Sequence, residues 1–177
     1  MKTKKIAMVA MLAAVFAALS IMTPIRLQNI KITFEGVPVL VGALLFGAPD
    51  GALVGFIGAL VYQLFLSGYG VTVTTPLWIL PHVVSGLVVG LFAQKKAFRF
   101  RRAEVVPALV VSELLVTAIN TFAIYVDSKI FGYYTPTIIT GVLGVRILAA
   151  AIRGVAYGLI LPPVVSALRR QAGIMAD

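Results

Sequence analysis

Six apolar stretches, each closed by proline, glycine or a cluster of charge, occupy most of this chain and decide what it can become. They run from about Ile6 to Met22, Val37 to Phe46, Ala52 to Leu66, Pro76 to Ala93, Glu104 to Tyr125 and Thr137 to Leu168. The 177 residues are 60% hydrophobic and 12% charged, against roughly 45–50% and about 25% in a soluble domain. The pattern predicts an all-α integral membrane protein, a compact bundle of six transmembrane helices forming one domain over residues 1–177. Several stretches fall short of the roughly 20 residues that cross hydrocarbon alone. The second and third are therefore expected to be tilted, bent or partly re-entrant. Pro76 suits a first helical position, and Pro81 should kink the fourth helix. Lys2-Thr3-Lys4-Lys5 before the first stretch resembles the start of a signal peptide. Because the rest of the chain is also apolar, a retained first helix is the simpler reading.

Charge gives the orientation. The 15 Lys and Arg against 6 Asp and Glu leave a net +9, which in a soluble protein would suggest nucleic acid. Here the basic residues lie in short connections, so topology accounts for them and no nucleic-acid partner is expected. With six spans, Lys2, Lys4, Lys5, Lys95, Lys96, Arg99, Arg101, Arg102, Arg169 and Arg170 share one side. Arg26, Lys31 and Lys129 fall on the other. The positive-inside rule puts both termini in the cytoplasm of a bacterial cell.

The opposite connections are less ordinary. From Arg26 to Glu35, Ile30, Ile32 and Phe34 alternate with Lys31, Thr33 and Glu35, a period of two that predicts a short extended segment or hairpin. Gly68 to Thr75 is rich in Gly and Thr, and Asp127 to Thr137 holds Tyr133, Tyr134 and Pro136. Three such loops either connect spans with interfacial aromatics or form outer-face caps over a ligand cavity, with Phe34 of the first loop at the site.

Polar residues inside the spans are the candidates for function. Arg146 and Arg153 sit seven residues apart, two helical turns, so they leave one face. An arginine near the middle of a membrane helix costs roughly 2.5–3.5 kcal/mol on insertion scales, so each needs an internal partner or a ligand. Glu113, Thr117 and Asn120 mark a second polar face on the fifth span. Either Glu113 and Arg153 neutralise one another, leaving Arg146 and Asn120 for a ligand, or Glu113 accepts two N–H donors from a heterocycle while arginine meets a carboxylate or carbonyl. Trp78 is a belt residue or a stacking wall. His82, four residues on, shares its face and is a core residue or a ligand contact. Ala10, Ala14 and Ala18 form a small-xxx-small row, either internal packing or a docking face for another membrane subunit.

Chemistry is sparse. There is no cysteine and one histidine, so no metal centre or thiol nucleophile is expected. The chain holds no G-x-x-x-x-G-K-[ST], G-x-S-x-G or H-E-x-x-H pattern, so it is not expected to be an enzyme or to bind a cofactor of its own.

Three segments carry a family resemblance: Met8-Val9-Ala10-Met11-Leu12-Ala13-Ala14 after the basic start, Lys31-Ile32-Thr33-Phe34-Glu35-Gly36-Val37-Pro38, and Leu44-Leu45-Phe46-Gly47-Ala48-Pro49-Asp50-Gly51-Ala52-Leu53-Val54-Gly55. The fourth span, from Thr74-Thr75-Pro76-Leu77-Trp78 to Gly90, adds to it. The chain resembles the substrate-binding S components of energy-coupling factor (ECF) vitamin transporters. The resemblance implies high-affinity vitamin binding near the outer face, a membrane coupling subunit, and two cytoplasmic ATPases that hydrolyse the ATP. It also implies docking through Ala10 and Ala14 of the first helix, and a lid from outer loops one, three and five. Among cargoes, a folate-like or pterin/guanine-like ring comes first. A queuosine-type deazaguanine, a thiamine precursor and pantothenate stay open. A non-transport six-span cell-envelope scaffold, with all interior arginines paired, is the alternative from another class.

Overall fold

The computed structural model describes residues 2–22, 25–27, 30–32, 34–68 and 70–172. Thr23 and Pro24, taken from sequence as a helix stop, Thr33 of the alternating segment and Tyr69 of the second outer loop lie outside them. In chain order come α1 (Lys2–Met22), β1 (Ile25–Leu27), β2 (Ile30–Ile32), α2 (Gly36–Phe46), α3 (Ala48–Val61), a π-helical turn (Tyr62–Leu66), α4 (Thr75–Lys95), α5 (Arg102–Ile130), α6 (Pro136–Thr140) and α7 (Leu143–Ala172). The period-two segment is the antiparallel pair β1–β2, in the register Ile25 to Ile32 and Leu27 to Ile30. Among the described residues, five helices are long and apolar enough to cross a membrane, and α2 is the short sixth.

Two boundaries differ from expectation. α5 runs to Ile130 rather than Tyr125, because a glycine ends it: Gly132 takes φ +77°, and Tyr133 N–H reaches back to Ser128 O in the αL arrangement that closes many helices. The sixth span is broken at Gly141 into α6 and α7.

α2 organises the packing. It lies against α1, α3, α4 and α7, and Val39, Leu40, Ala43 and Leu44 are fully buried. Its 11 residues rise roughly 16 Å, about half the hydrocarbon thickness. Its C-terminal end is fixed at the basic end of the bundle, where Arg169 of α7 donates to Leu44 O at 2.7 Å and to Phe98 O at 2.5 Å. Lys5 pairs with Asp50 at 2.8 Å at the same end. α2 thus leaves the opposite half of the bundle's interior unfilled.

Glycines set the helix spacing elsewhere. A Cβ on Gly86 of α4 would stand 2.3 Å from the backbone carbon of Gly51 on α3, and backbone cannot yield as a side chain can. Gly154 and Gly158 of α7 seat in the same way on Val110 and Val106 of α5. Such close seams replace the hydrophobic effect as a cohesive force in lipid. Gly86→Ala should therefore destabilise the bundle by about 1–3 kcal/mol, seen as a lower melting temperature of the purified protein. Ala substitution at Gly144, which has open space around it, should leave that temperature unchanged.

A candidate ligand cavity opposite the basic end

Above α2 lies a cavity of about 920 Å³. Its floor is level: Phe16, Gly36, Ala59, Ser85, Glu113 and Tyr157 all line it. Each sits about eleven residues, or roughly 16–18 Å, along its helix from the basic end. The missing upper half of α2 is therefore what makes the room.

Seven of the residues singled out by sequence, Trp78, His82, Glu113, Thr117, Asn120, Arg146 and Arg153, line this one space. Phe34 does not. It is 44% exposed, because the chain turns here, Phe34 O accepting Val37 N–H at 3.0 Å as α2 begins. The turn sends Glu35 inward in its place. Glu35 Oε1 lies 3.9 Å from His82 Nε2, and the His82 ring meets the edge of Phe16 at 4.7 Å.

Glu113 and Arg153 form an ion pair, Nε to Oε2 at 2.9 Å, with side chains 7% and 21% exposed. Next to it Ser85 and Ser112 share a hydrogen bond at 2.8 Å that joins α4 to α5. Arg146, Asn120 and Trp78 stand further out. The rim is built from Ser67, Gly70, Thr72, Asp127, Phe131 and Tyr133. The π-helical turn supplies Tyr62 and Gln63, an irregularity often met at functional sites.

Several lining residues were missed from sequence. Tyr157 was readable, since it follows Arg153 by four on the same face. Asp127 was readable too, as the next step of the stripe Glu113, Thr117, Asn120, Ile124. Glu35, Tyr62 and Gln63 carried no signal, because a loop turn and a π-helical register place them. Among the described residues no group of three or more His, Cys, Asp or Glu could hold a metal ion. On α1, Val9, Ala13, Phe16 and Ala17 face the bundle, while Ala10, Ala14 and Ala18 are exposed on its outer surface.

Among the described residues, five helices long and apolar enough to cross a membrane, packed around a cavity whose lining mixes apolar side chains with Glu113, Asn120, Arg146 and Arg153, make this a membrane bundle with an internal cavity. Its sequence matches the family described as ECF-type riboflavin transporter, S component, over residues 1–170, and the chain belongs to that family. Comparison with curated proteins gives no match. Among solved structures, one described as the S component of a bacterial ECF transporter shares the fold, at a TM-score of 0.57 and 18% identity, covering 98% of each chain. The protein is the substrate-binding membrane component of an ECF importer, a class that binds small vitamins and works with a coupling subunit and ATPases.

Proposed function

We propose that the cargo is riboflavin, or a flavin with the same ring system, bound in the outer cavity by Trp78, His82, Thr117, Asn120 and Arg146. The family assignment supports this reading, and the observation that carries it is the ion pair that engages Glu113 with Arg153. A pterin or guanine edge needs a carboxylate that accepts two adjacent N–H donors. Glu113 already spends Oε2 on Arg153, which weakens the folate-like preference drawn from sequence. A flavin edge instead offers one N–H between two carbonyls. An amide that accepts and donates, beside a guanidinium that only donates, suits that edge. Asn120 and Arg146 are such a pair on one cavity. Trp78 gives a flat ring something to stack on.

The rest of the cycle follows. The basic end faces the cytoplasm, the cavity opens outward, and this chain acts as one binding unit without a cofactor of its own. ATP is hydrolysed by the partner subunits, and the exposed Ala10, Ala14 and Ala18 row is the docking face for the coupling subunit.

The test is a titration of the purified protein with riboflavin, read by quenching of flavin fluorescence. We expect saturable 1:1 quenching that excess folate does not reverse. Arg146→Ala should weaken it about 10- to 100-fold, the worth of a hydrogen bond from a charged donor. Tight folate or deazaguanine binding with riboflavin inert would overturn the assignment.

A further inference from the structure

Asp127, near the end of α5, receives a hydroxyl from each of two outer loops. Thr74, immediately before α4, donates from Oγ1 to Asp127 Oδ1 at 2.5 Å. Tyr133, in the turn after α5, donates its phenol to Oδ2. Thr74 is 1% exposed and does not line the cavity, whereas Asp127, Thr72 and Tyr133 do. The direction of the network is fixed by its protons. A carboxylate only accepts, and Thr74 has a single hydroxyl proton, so the 2.9 Å contact between Thr72 Oγ1 and Thr74 Oγ1 must be donated by Thr72. The result is one chain, Thr72 to Thr74 to Asp127, met from the other side by Tyr133.

Both anchors are themselves braced. Thr72 N–H donates to Thr75 Oγ1 at 2.9 Å, and Thr75 N–H returns to Thr72 O at 3.1 Å. This knots the loop onto the start of α4, whose N-terminal dipole favours the carboxylate there. The turn after α5 is held to that helix by Tyr134, whose ring lies 3.9 Å from Lys129 Nζ and meets Tyr125 edge-on at 5.5 Å.

We propose that Asp127 is a latch, a positioning residue that ties the loop before α4 to the turn after α5 across the cavity rim and sets how long cargo stays inside. Because its two bonds tie the rim without filling the cavity, breaking them speeds escape and does not slow entry. The residence-time readout rests on the riboflavin reading, so a second readout needs no cargo.

The variants are Thr74→Val, Tyr133→Phe, the two combined, and Thr74→Ser, which keeps the hydroxyl. In empty protein in lipid nanodiscs, hydrogen exchange is followed at residues 70–75 and 131–135. Thr74→Val should speed exchange in the 131–135 turn, some sixty residues away in sequence, and Thr74→Ser should restore it. In a riboflavin chase, each single variant should raise the off-rate about tenfold, the worth of one hydrogen bond to a charged group, with the on-rate not lowered. The double variant should add little to either single. Unchanged exchange in the far turn with an unchanged off-rate would overturn the latch, as would a loss confined to the on-rate. If wild type binds no riboflavin, the cargo reading fails and the exchange comparison alone decides the latch.

Discussion

Glu113→Ala should cost this protein more stability than Arg153→Met, although both remove the same ion pair. The two groups meet at 2.9 Å with side chains 7% and 21% exposed, so neither is well hydrated. Breaking a buried pair from one side costs about 3–5 kcal/mol, because the survivor keeps its desolvation penalty and loses its compensation. The survivors are not equivalent. A lone carboxyl can be neutralised by a proton, while a guanidinium stays charged. Glu113→Ala should therefore reach the upper part of that range and Arg153→Met the lower. Glu113→Leu with Arg153→Met should lie close to wild type, since a buried pair replaced by apolar groups of similar volume is often neutral. Melting temperatures of the purified variants decide this. Equal single effects that sum in the double would mean that the two charges do not depend on one another. The double variant also bears on cargo. If it folds and binds riboflavin as wild type does, the pair is structural; if it folds and loses binding, at least one of the two side chains meets cargo.

Much of this arrangement was legible in the chain because helices in lipid report themselves twice. Contiguous apolar residues gave all six spans, and the stripe Glu113, Thr117, Asn120 gave one wall of the cavity, since 3.6-residue periodicity survives without tertiary information. The adjoining wall came from Arg146 and Arg153 by the same argument. What stayed hidden depends on how elements meet. α2 read only as a short span; that its shortness leaves the half of the bundle away from the basic end open is visible once its C-terminal end is fixed to Arg169. Arg169 itself read as a topological charge, and its bonds to Leu44 O and Phe98 O cross 125 and 71 residues of sequence. The Gly47 to Gly55 run that carried the family resemblance is explained by packing. Gly47 takes φ +93° as the single residue between α2 and α3, and Gly51 and Gly55 admit the backbones of Ala43 and His82. Cargo was the least legible. A carboxylate, an amide and an arginine on neighbouring helices suggested a pterin-like edge, and the same residues equally allowed Glu113 to pair with Arg153. Residue types do not choose between the two, and the 2.9 Å ion pair depends on how α5 meets α7.

Ala14→Trp should abolish transport and leave cargo binding intact. On α1 the bundle-facing side is Val9, Ala13, Phe16 and Ala17, all at 6% exposure or less. Ala10, Ala14 and Ala18 are exposed on the other side. A row of methyl groups at four-residue spacing lets a second helix approach until backbones nearly touch, which is how helices associate where lipid removes the hydrophobic drive. An indole at position 14 would stand in that approach and hold the partner helix off. In the isolated protein the same indole meets only lipid, so neither the fold nor the cavity should register it. Riboflavin binding to purified Ala14→Trp should thus equal wild type, while uptake into vesicles carrying the full transporter falls to background and the coupling subunit no longer co-purifies. Ala13→Trp is the contrast. Ala13 is 3% exposed, and a large ring there should lower the melting temperature and cargo binding together. Transport retained by Ala14→Trp would assign the alanine face to lipid and move the docking surface to another helix.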